Sequence, residues 1–296
     1  MEIRLLCIVI GRRAKKALEE ARTRVARAIG CRNKEIYFTS GGSGSDNIAV
    51  KGVAFANREK GNHIITTKIE HPAILNTCRA LESQGFDVTY LNVDKDGLIN
   101  LKELEEAITN KTILISIMFA NNEIGTIEPI EQIGRIAKEH NVLFHTDSVQ
   151  AIGNVRIDVN KMNIDLLSMS SHKFYGPKGV GALYIREGVK CNKLQDGGHQ
   201  ERELRAGTEN VAGIVGMGKA IEIAYRDLTS LRNYYIAEIQ SKIPNVKING
   251  GMEHRLPGNA NISFKEVDGE GLLLGLDNEG ICASSGSACS TGQSTP

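Results

Sequence analysis

With 296 residues, 41% of them hydrophobic and 24% charged, the chain is long enough to bury one large core and part of a second domain. Lys and Arg number 36 against 35 Asp and Glu, a formal charge of +1, so charge gives no footing for nucleic-acid or membrane-surface binding; the absence of Trp and the scarcity of Phe and Tyr argue against an aromatic platform for single strands. No apolar run is long enough to span a bilayer, and Met1 to Ile10, broken by Glu2 and Arg4 and followed by Gly11-Arg12-Arg13, does not read as a secretory leader.

The elements alternate along the chain. Arg13 to Ile29 carries Ala14, Ala17, Leu18, Ala21, Val25 and Ala28 at helical spacing, and Gly30 stops it. Ile36 to Thr39 predicts a strand that runs into Gly41-Gly42-Ser43-Gly44, with a helix from Ser45 to Asn57. His63 to Thr67 reads as a strand, and Pro72 to Ser83 as a helix with proline at its start. Strands over Asp87 to Asn92, Thr112 to Phe119 and Val142 to Thr146 are separated by helices over Leu101 to Ile108 and Ile130 to His140. Ile164 to Ser168 is a further strand, and Gly179 to Ile185 fits its hairpin partner. One long helix is expected from Val211 to about Ile243. A short β-α-β unit should follow: Ala260 to Phe264, Gly269 to Leu276 and Gly280 to Ala283.

Strands alternating with helices imply an α/β fold with a mostly parallel sheet covered on both faces, and ligands meet such sheets beyond the carboxyl ends of the strands. The residues that carry chemistry fall there. Lys173, in Ser170-Ser171-His172-Lys173-Phe174-Tyr175-Gly176-Pro177, has donors beside it and a tight turn after it; a lysine amine can hold a carbonyl cofactor covalently. Asp147 ends an apolar strand, where a carboxylate can pair with a protonated ring nitrogen or, equally, cap the next helix. Gln150 suits a cofactor ring oxygen or an ordinary helix surface. Gly41-Gly42-Ser43 opens a helix, a place where free N–H groups hold phosphate, although glycine turns are common. His71, in Glu70-His71-Pro72, is either an imidazole that stacks on a ring and moves protons or simply a turn residue. Asn122 is a hydrogen-bonding group for the cofactor or the substrate, or a loop asparagine.

The six cysteines are scattered without a C-x-x-C pair, which fits reduced thiols in the cytoplasm and offers no zinc cluster; no resident metal is expected. Cys289 lies in the small, flexible run Ser284 to Cys289, suited to carrying a thiolate between sites. Cys282, within an apolar run, is expected to be buried and inert.

Taken together, Glu70-His71-Pro72, Asn121 to Gly125, His145 to Gln150, Ser170 to Lys173, Arg205 to Asn210 and Ser284 to Cys289 resemble the cysteine desulfurases of the NifS/IscS type, class V members of the pyridoxal-phosphate-dependent aminotransferase family. The resemblance runs from Gly11 almost to the end. It implies the fold-type-I architecture, with a mostly parallel seven-stranded sheet over residues 1–243 and the opening of a small, incomplete α+β domain over 244–296. It implies conversion of L-cysteine to L-alanine, with pyridoxal 5'-phosphate as cofactor and the sulfur passed to an enzyme cysteine as persulfide. By position, Lys173 is the cofactor-bearing lysine and proton carrier, Asp147 the partner of the ring nitrogen, Gln150 that of the ring oxygen, and His71 the stacking imidazole and second proton carrier. Gly42, Ser43, Ser170 and His172 hold the phosphate, Thr208 reaches the phosphate of the neighbouring subunit of a homodimer, and Asn122 completes the contacts. Cys289 is the persulfide-forming nucleophile. It would hand sulfur to an acceptor or iron–sulfur scaffold protein and touch a cluster transiently.

Three departures stand out. Met1 to Ile10 does not match the family's usual N-terminal strand, no residue matches the arginine that holds the substrate carboxylate, and Gly44 stands where a carboxylate is common. The chain therefore reads as trimmed at both ends, and impaired turnover is the expectation. The competing readings are another aminotransferase or lyase on the same fold, and a non-catalytic relative that still binds cofactor or dimerises.

Overall fold

In the computed structural model, which describes residues 9–286, helix α1 (Val9–Ile29) leads into the sheet. Its Ala14, Leu18, Ala21, Val25 and Ile29 recur at three- and four-residue spacing and are all buried. Gly30, at φ +73°, ends it, with Cys31 N–H returning to Ala26 O at 3.0 Å. Then follow β1 (Ile36–Thr39), α2 (Gly42–Ala56), β2 (His63–Thr67), α3 (Pro72–Glu82), β3 (Asp87–Leu91), α4 (Leu101–Ala107), β4 (Thr112–Ser116), α5 (Ile130–Glu139), β5 (Leu143–Asp147), β6 (Leu166–Ser170) and β7 (Gly181–Ile185).

These seven strands form one sheet in the order β1-β7-β6-β5-β4-β2-β3, in which β7 alone runs against its neighbours. The hairpin return expected for Gly179 to Ile185 is therefore present. Both faces are covered. Ile65, Phe144, Leu167 and Tyr184 pack with side chains of α1, α5 and the later helix α6 (Val211–Ile223). Ile64, Leu114, Leu166 and Leu183 pack on the other side with α2 and α3. Adjacent residues of one strand thus enter opposite cores, which explains why Ile64-Ile65, Leu166-Leu167 and Leu183-Tyr184 stand side by side instead of alternating with polar residues.

Past the sheet the structure departs from expectation. The single helix predicted from Val211 to about Ile243 is two: α6 stops at Ile223, and α7 (Thr229–Lys242) starts afresh. Between them Arg226 donates its N–H to Gly153 O at 3.3 Å, and the Asp227 carboxylate accepts the Thr229 N–H at 2.9 Å. A carboxylate placed to satisfy a new helix start competes with helix continuation, and here it wins. The short terminal unit is also different. Strands β8 (Val246–Ile248) and β9 (Ile262–Phe264) pair antiparallel, and α8 (Gly269–Asn278) follows. Gly280, at φ +75°, ends α8, and Gly280 to Ala283 forms no strand. Cys282 is accordingly exposed rather than buried.

A buried ion pair ties the loop before α6 to the sheet. Arg22 and Glu201, each 2% exposed, meet at 2.7 and 2.8 Å, and the same carboxylate accepts the Phe38 N–H at 2.8 Å. Arg22 also donates to Ile36 O at 2.7 Å. The chain holds Glu201, Arg202 and Glu203 at positive φ (45°, 54° and 70°) to make this contact. Breaking one partner leaves the other charged and buried, so Glu201→Gln is expected to cost about 3–5 kcal/mol. The shift of the urea midpoint at constant slope measures it.

Candidate active site

Strands β1, β2, β4, β5 and β6 point the same way, and the segments leaving their carboxyl ends line a partly open cavity of about 110 Å³. Five stretches distant in sequence converge on it.

From β1 comes the start of α2, where Gly42 and Ser43 line the cavity. Gly41 sits at φ +150°, and a Cβ on Gly42 would lie 2.8 Å from Val149 Cγ2, so side chains are excluded at both positions. The result is a 15-residue helix with bare N–H groups at its mouth. The turn is locked from behind, where the Ser45 hydroxyl lies 2.8 Å from Thr39 Oγ1 and donates to Ala182 O at 3.1 Å.

From β2 comes His71. Its Nδ1 accepts the Ala73 N–H at 3.1 Å, which caps α3 and leaves the proton of the neutral ring on Nε2. Burial, with Lys173 nearby, lowers its pKa and favours that neutral form. Cap and cavity residue are thus one and the same. Beside it, Glu70 accepts from the Thr67 hydroxyl at 2.8 Å and the Met118 N–H at 2.9 Å. Burial pushes its pKa to about 8.

From β4 comes the 118–127 loop, in which Met118, Ala120 and Asn122 face the cavity. Asn121 shapes it, donating to Ile69 O at 3.2 Å and accepting the N–H groups of Glu123 and Ile124 at 2.9 and 3.0 Å. The segment that leads into β9 grips the same loop from outside. Asn259 donates to Glu123 O at 2.9 Å, and a Cβ on Gly125 (φ +75°) would come within 2.4 Å of the Asn259 side chain.

From β5 come Asp147, Val149 and Gln150. The Asp147 carboxylate accepts the Val149 N–H at 2.9 Å, so it closes the turn as a cap would while facing the cavity. Burial raises its pKa to about 6, against the opposing pull of that N–H and of Lys173. Behind it, His145 is fully buried between the Ser116 hydroxyl on Nδ1 (2.9 Å) and the Ser168 hydroxyl on Nε2 (3.0 Å). Burial lowers its pKa to about 3 and keeps it neutral.

From β6 come Ser170, His172 and Lys173, the last two on a short 3-10 turn (Ser171–Phe174). The turn is anchored by buried Phe174, by Ser171 N–H to Val180 O at 3.0 Å and by Gly176 N–H to Ser171 O at 2.9 Å. Ser170 Oγ and His172 Nδ1 lie 3.0 Å apart, and burial and then Lys173 lower the His172 pKa.

The cavity therefore gathers Gly42, Ser43, His71, Asn122, Asp147, Gln150, Ser170, His172 and Lys173. Thr208 is exposed on the loop before α6 and does not line it. Cys289 lies outside the described residues. Sequence reasoning missed Asp46, which also lines the cavity and is 1% exposed. Nothing in its neighbours marks it: Asp46 and Asn47 together precede the apolar run Ile48-Ala49-Val50, as polar residues early in a helix commonly do. His145 and Glu70 were seen only as neighbours of other residues.

Sheet order, the lone antiparallel strand and a cavity at the strand ends lined by both a lysine and a buried aspartate fit an α/β transferase that uses an aldehyde cofactor. The family described as Aminotransferase class-V matches residues 8–295, and the chain belongs to it. Cysteine desulfurase IscS of Clostridium botulinum (strain Hall / ATCC 3502 / NCTC 13319 / Type A) is 58% identical over 293 residues, which is 96% of this chain and 74% of the relative. Among solved structures, a NifS-like protein superposes with a TM-score of 0.90 at 41% identity, over 94% of this chain and 78% of that one. SspA in complex with cysteine superposes at 0.88 with 40% identity, over 99% and 84%.

The buried acids carry a measurable signature. Glu70 holds its proton in the fold up to about pH 8, whereas an unfolded carboxyl releases it near pH 4.3. Stability is therefore expected to fall as pH rises from about 4.5 to 8, by up to about 1.4 kcal/mol per unit from this group, and to level off above. Glu70→Gln, which keeps the acceptor for Met118 N–H, should flatten that slope in urea midpoints of the cofactor-free protein at several pH values.

Proposed function

We propose that the chain is a pyridoxal-phosphate-dependent cysteine desulfurase, taking L-cysteine to L-alanine and keeping the sulfur as an enzyme persulfide. The observation that carries this reading is the convergence of Lys173, Asp147 and the Gly42–Ser43 helix mouth on one cavity. They supply an amine, a buried carboxylate and a helix mouth with free N–H groups for an anion, and the kinship with cysteine desulfurases supplies the substrate.

The residues fit the cofactor. When bound, pyridoxal phosphate offers an aldehyde for a lysine amine and a ring that accepts the electron pair left when a substrate loses its α-proton. In this assignment Lys173 holds the cofactor covalently and then moves the α-proton. Asp147, whose burial makes an unpaired anion costly, gains a cationic partner at the ring nitrogen. Gly42 and Ser43, with Ser170 and His172, hold the phosphate. Gln150 and Asn122 orient the ring and the substrate. His71, neutral and with its Nε2 proton free of the α3 cap, stacks and relays a proton. Cys289 takes the sulfur: its thiolate bonds to the cysteine sulfur, the carbon–sulfur bond breaks, and the electron pair stays with the three-carbon product.

The finer assignments follow the same reading. Thr208, exposed on its loop, reaches the phosphate of a second copy in a homodimer. The sulfur passes to an acceptor or iron–sulfur scaffold protein in the cytoplasm. Residues 1–243 act as the cofactor-binding domain, and 244–296 open the small one that carries Cys289. Among the described residues no helix is long and apolar enough to cross a membrane.

The decisive experiment is alanine and sulfide release from L-cysteine by the purified chain with added pyridoxal phosphate. Borohydride treatment should label a peptide containing Lys173, and Lys173→Ala should remove both the yellow absorption and turnover. Cys289→Ala is expected to keep the absorption but lower sulfide release by about a hundredfold or more, the scale of losing a covalent nucleophile. Unchanged turnover in Cys289→Ala would favour an aminotransferase or lyase instead.

A further inference from the structure

The mechanism leaves one cavity residue without a task. Asp46 lies one turn into α2, just past the Gly42–Ser43 mouth, with both its helix and β5 packed around it. It is 1% exposed, and its Oδ1 is buried with no hydrogen-bond partner among the described residues, 3.9 Å from His145 Nε2. The groups that face it are Asp147 and His145 from β5, Ser168 from β6 and Glu70 from the end of β2, while Lys173 and His71 share the cavity. His145 is neutral and already engaged by two hydroxyls, so no cation is committed to Asp46.

Resting on the functional reading above, we propose that Asp46 is a positioning residue that sits in the cavity wall as an uncharged carboxylic acid, leaving Asp147 the one anion there and the α2 mouth free of repulsion toward the cofactor phosphate. Two carboxylates in one low-dielectric wall do not both ionise cheaply, and the one without a designated cation is the one that keeps its proton. Location decides which. Asp147 is turned by the Val149 N–H and drawn by Lys173, both of which favour its charged form. Asp46 has burial first, then the Asp147 charge, raising its pKa, with Ser168 opposing and Glu70 adding to the rise. An anion at residue 46 would stand beside the helix mouth where a phosphate must settle and would cancel part of its attraction.

Two measurements on the full chain test this. In the cofactor-free protein, an acid that keeps its proton when folded makes stability fall as pH rises. As pH rises past the ordinary aspartate range, the wild-type folding equilibrium should therefore fall more steeply than that of Asp46→Asn, by up to about tenfold per pH unit. Pyridoxal phosphate should bind Asp46→Asn within about threefold of wild type, because a neutral amide replaces a neutral acid. Asp46→Ala should weaken binding by about tenfold or more through the lost packing and polar contact. Asp46→Ser takes its place if the alanine variant does not fold. Equal pH slopes for wild type and Asp46→Asn would overturn the proposal, as would an asparagine variant that binds as weakly as the alanine one, or an alanine variant that binds like wild type. If wild type forms no borohydride-stable bond at Lys173, the cofactor reading fails, while the pH slopes still decide the protonation of Asp46.

Discussion

The parallel pairing of β4, β5 and β6, which carries Asp147 and Lys173 to the wall of one cavity, is the constraint around which this molecule is arranged. A buried carboxylate is costly to ionise unless positive charge stands near it, and the lysine in the same cavity draws Asp147 back toward its charged form. Neither residue reaches that place by itself. Asp147 is the last residue of β5, fixed by parallel pairing to β4 and β6. Lys173 stands on a 3-10 turn clamped by Phe174 beneath it and Val180 beside it. The seven-stranded sheet brings the two groups to one cavity.

The electrostatic setting of the cavity is unusual for its concentration of buried acid. Asp46, Asp147 and Glu70 are all raised by burial, and each feels at least one of the others. The two histidines nearest the lysine and the one behind β5 are all driven toward neutrality. A site so built stores few net charges of its own and leaves room for those a cofactor and substrate bring. The glycine at the α2 mouth has a packing reason: a Cβ on Gly42 would lie 2.8 Å from Val149 Cγ2, and its absence lets the helix start sit against that wall with its N–H groups bare.

Positioning extends beyond the residues that line the cavity. The 118–127 loop that presents Asn122 is held from inside by Asn121 and from outside by Asn259, across more than a hundred residues of chain. The loop carrying Thr208 is held to the sheet by the Arg22–Glu201 pair. These are long-range contacts between polar side chains and backbone, and a one-dimensional pattern of apolar residues contains no trace of them.

By itself the sequence determined the alternation of strands and helices, the parallel character of the sheet and most of the cavity. Buried strands such as Thr112–Ser116 and Gly181–Ile185 carry consecutive apolar residues because both of their faces are covered, and that constraint is written locally. The chemistry of Lys173, Asp147 and the glycine mouth was legible for a similar reason, since each sits where a strand ends, next to its own turn signals. Tertiary structure alone decided the rest. Apolar spacing continues through residues 224–228, yet the helix breaks there because Asp227 caps Thr229 and Arg226 reaches Gly153. Cys282 sits in an apolar run yet is exposed, because among the described residues Gly280 to Ala283 pairs with no strand. Asp46 carries no turn or motif signal of its own in the sequence. Only the packing of α2 against β5 and β6 encloses it, and burial depends on what folds over a residue rather than on the residues beside it.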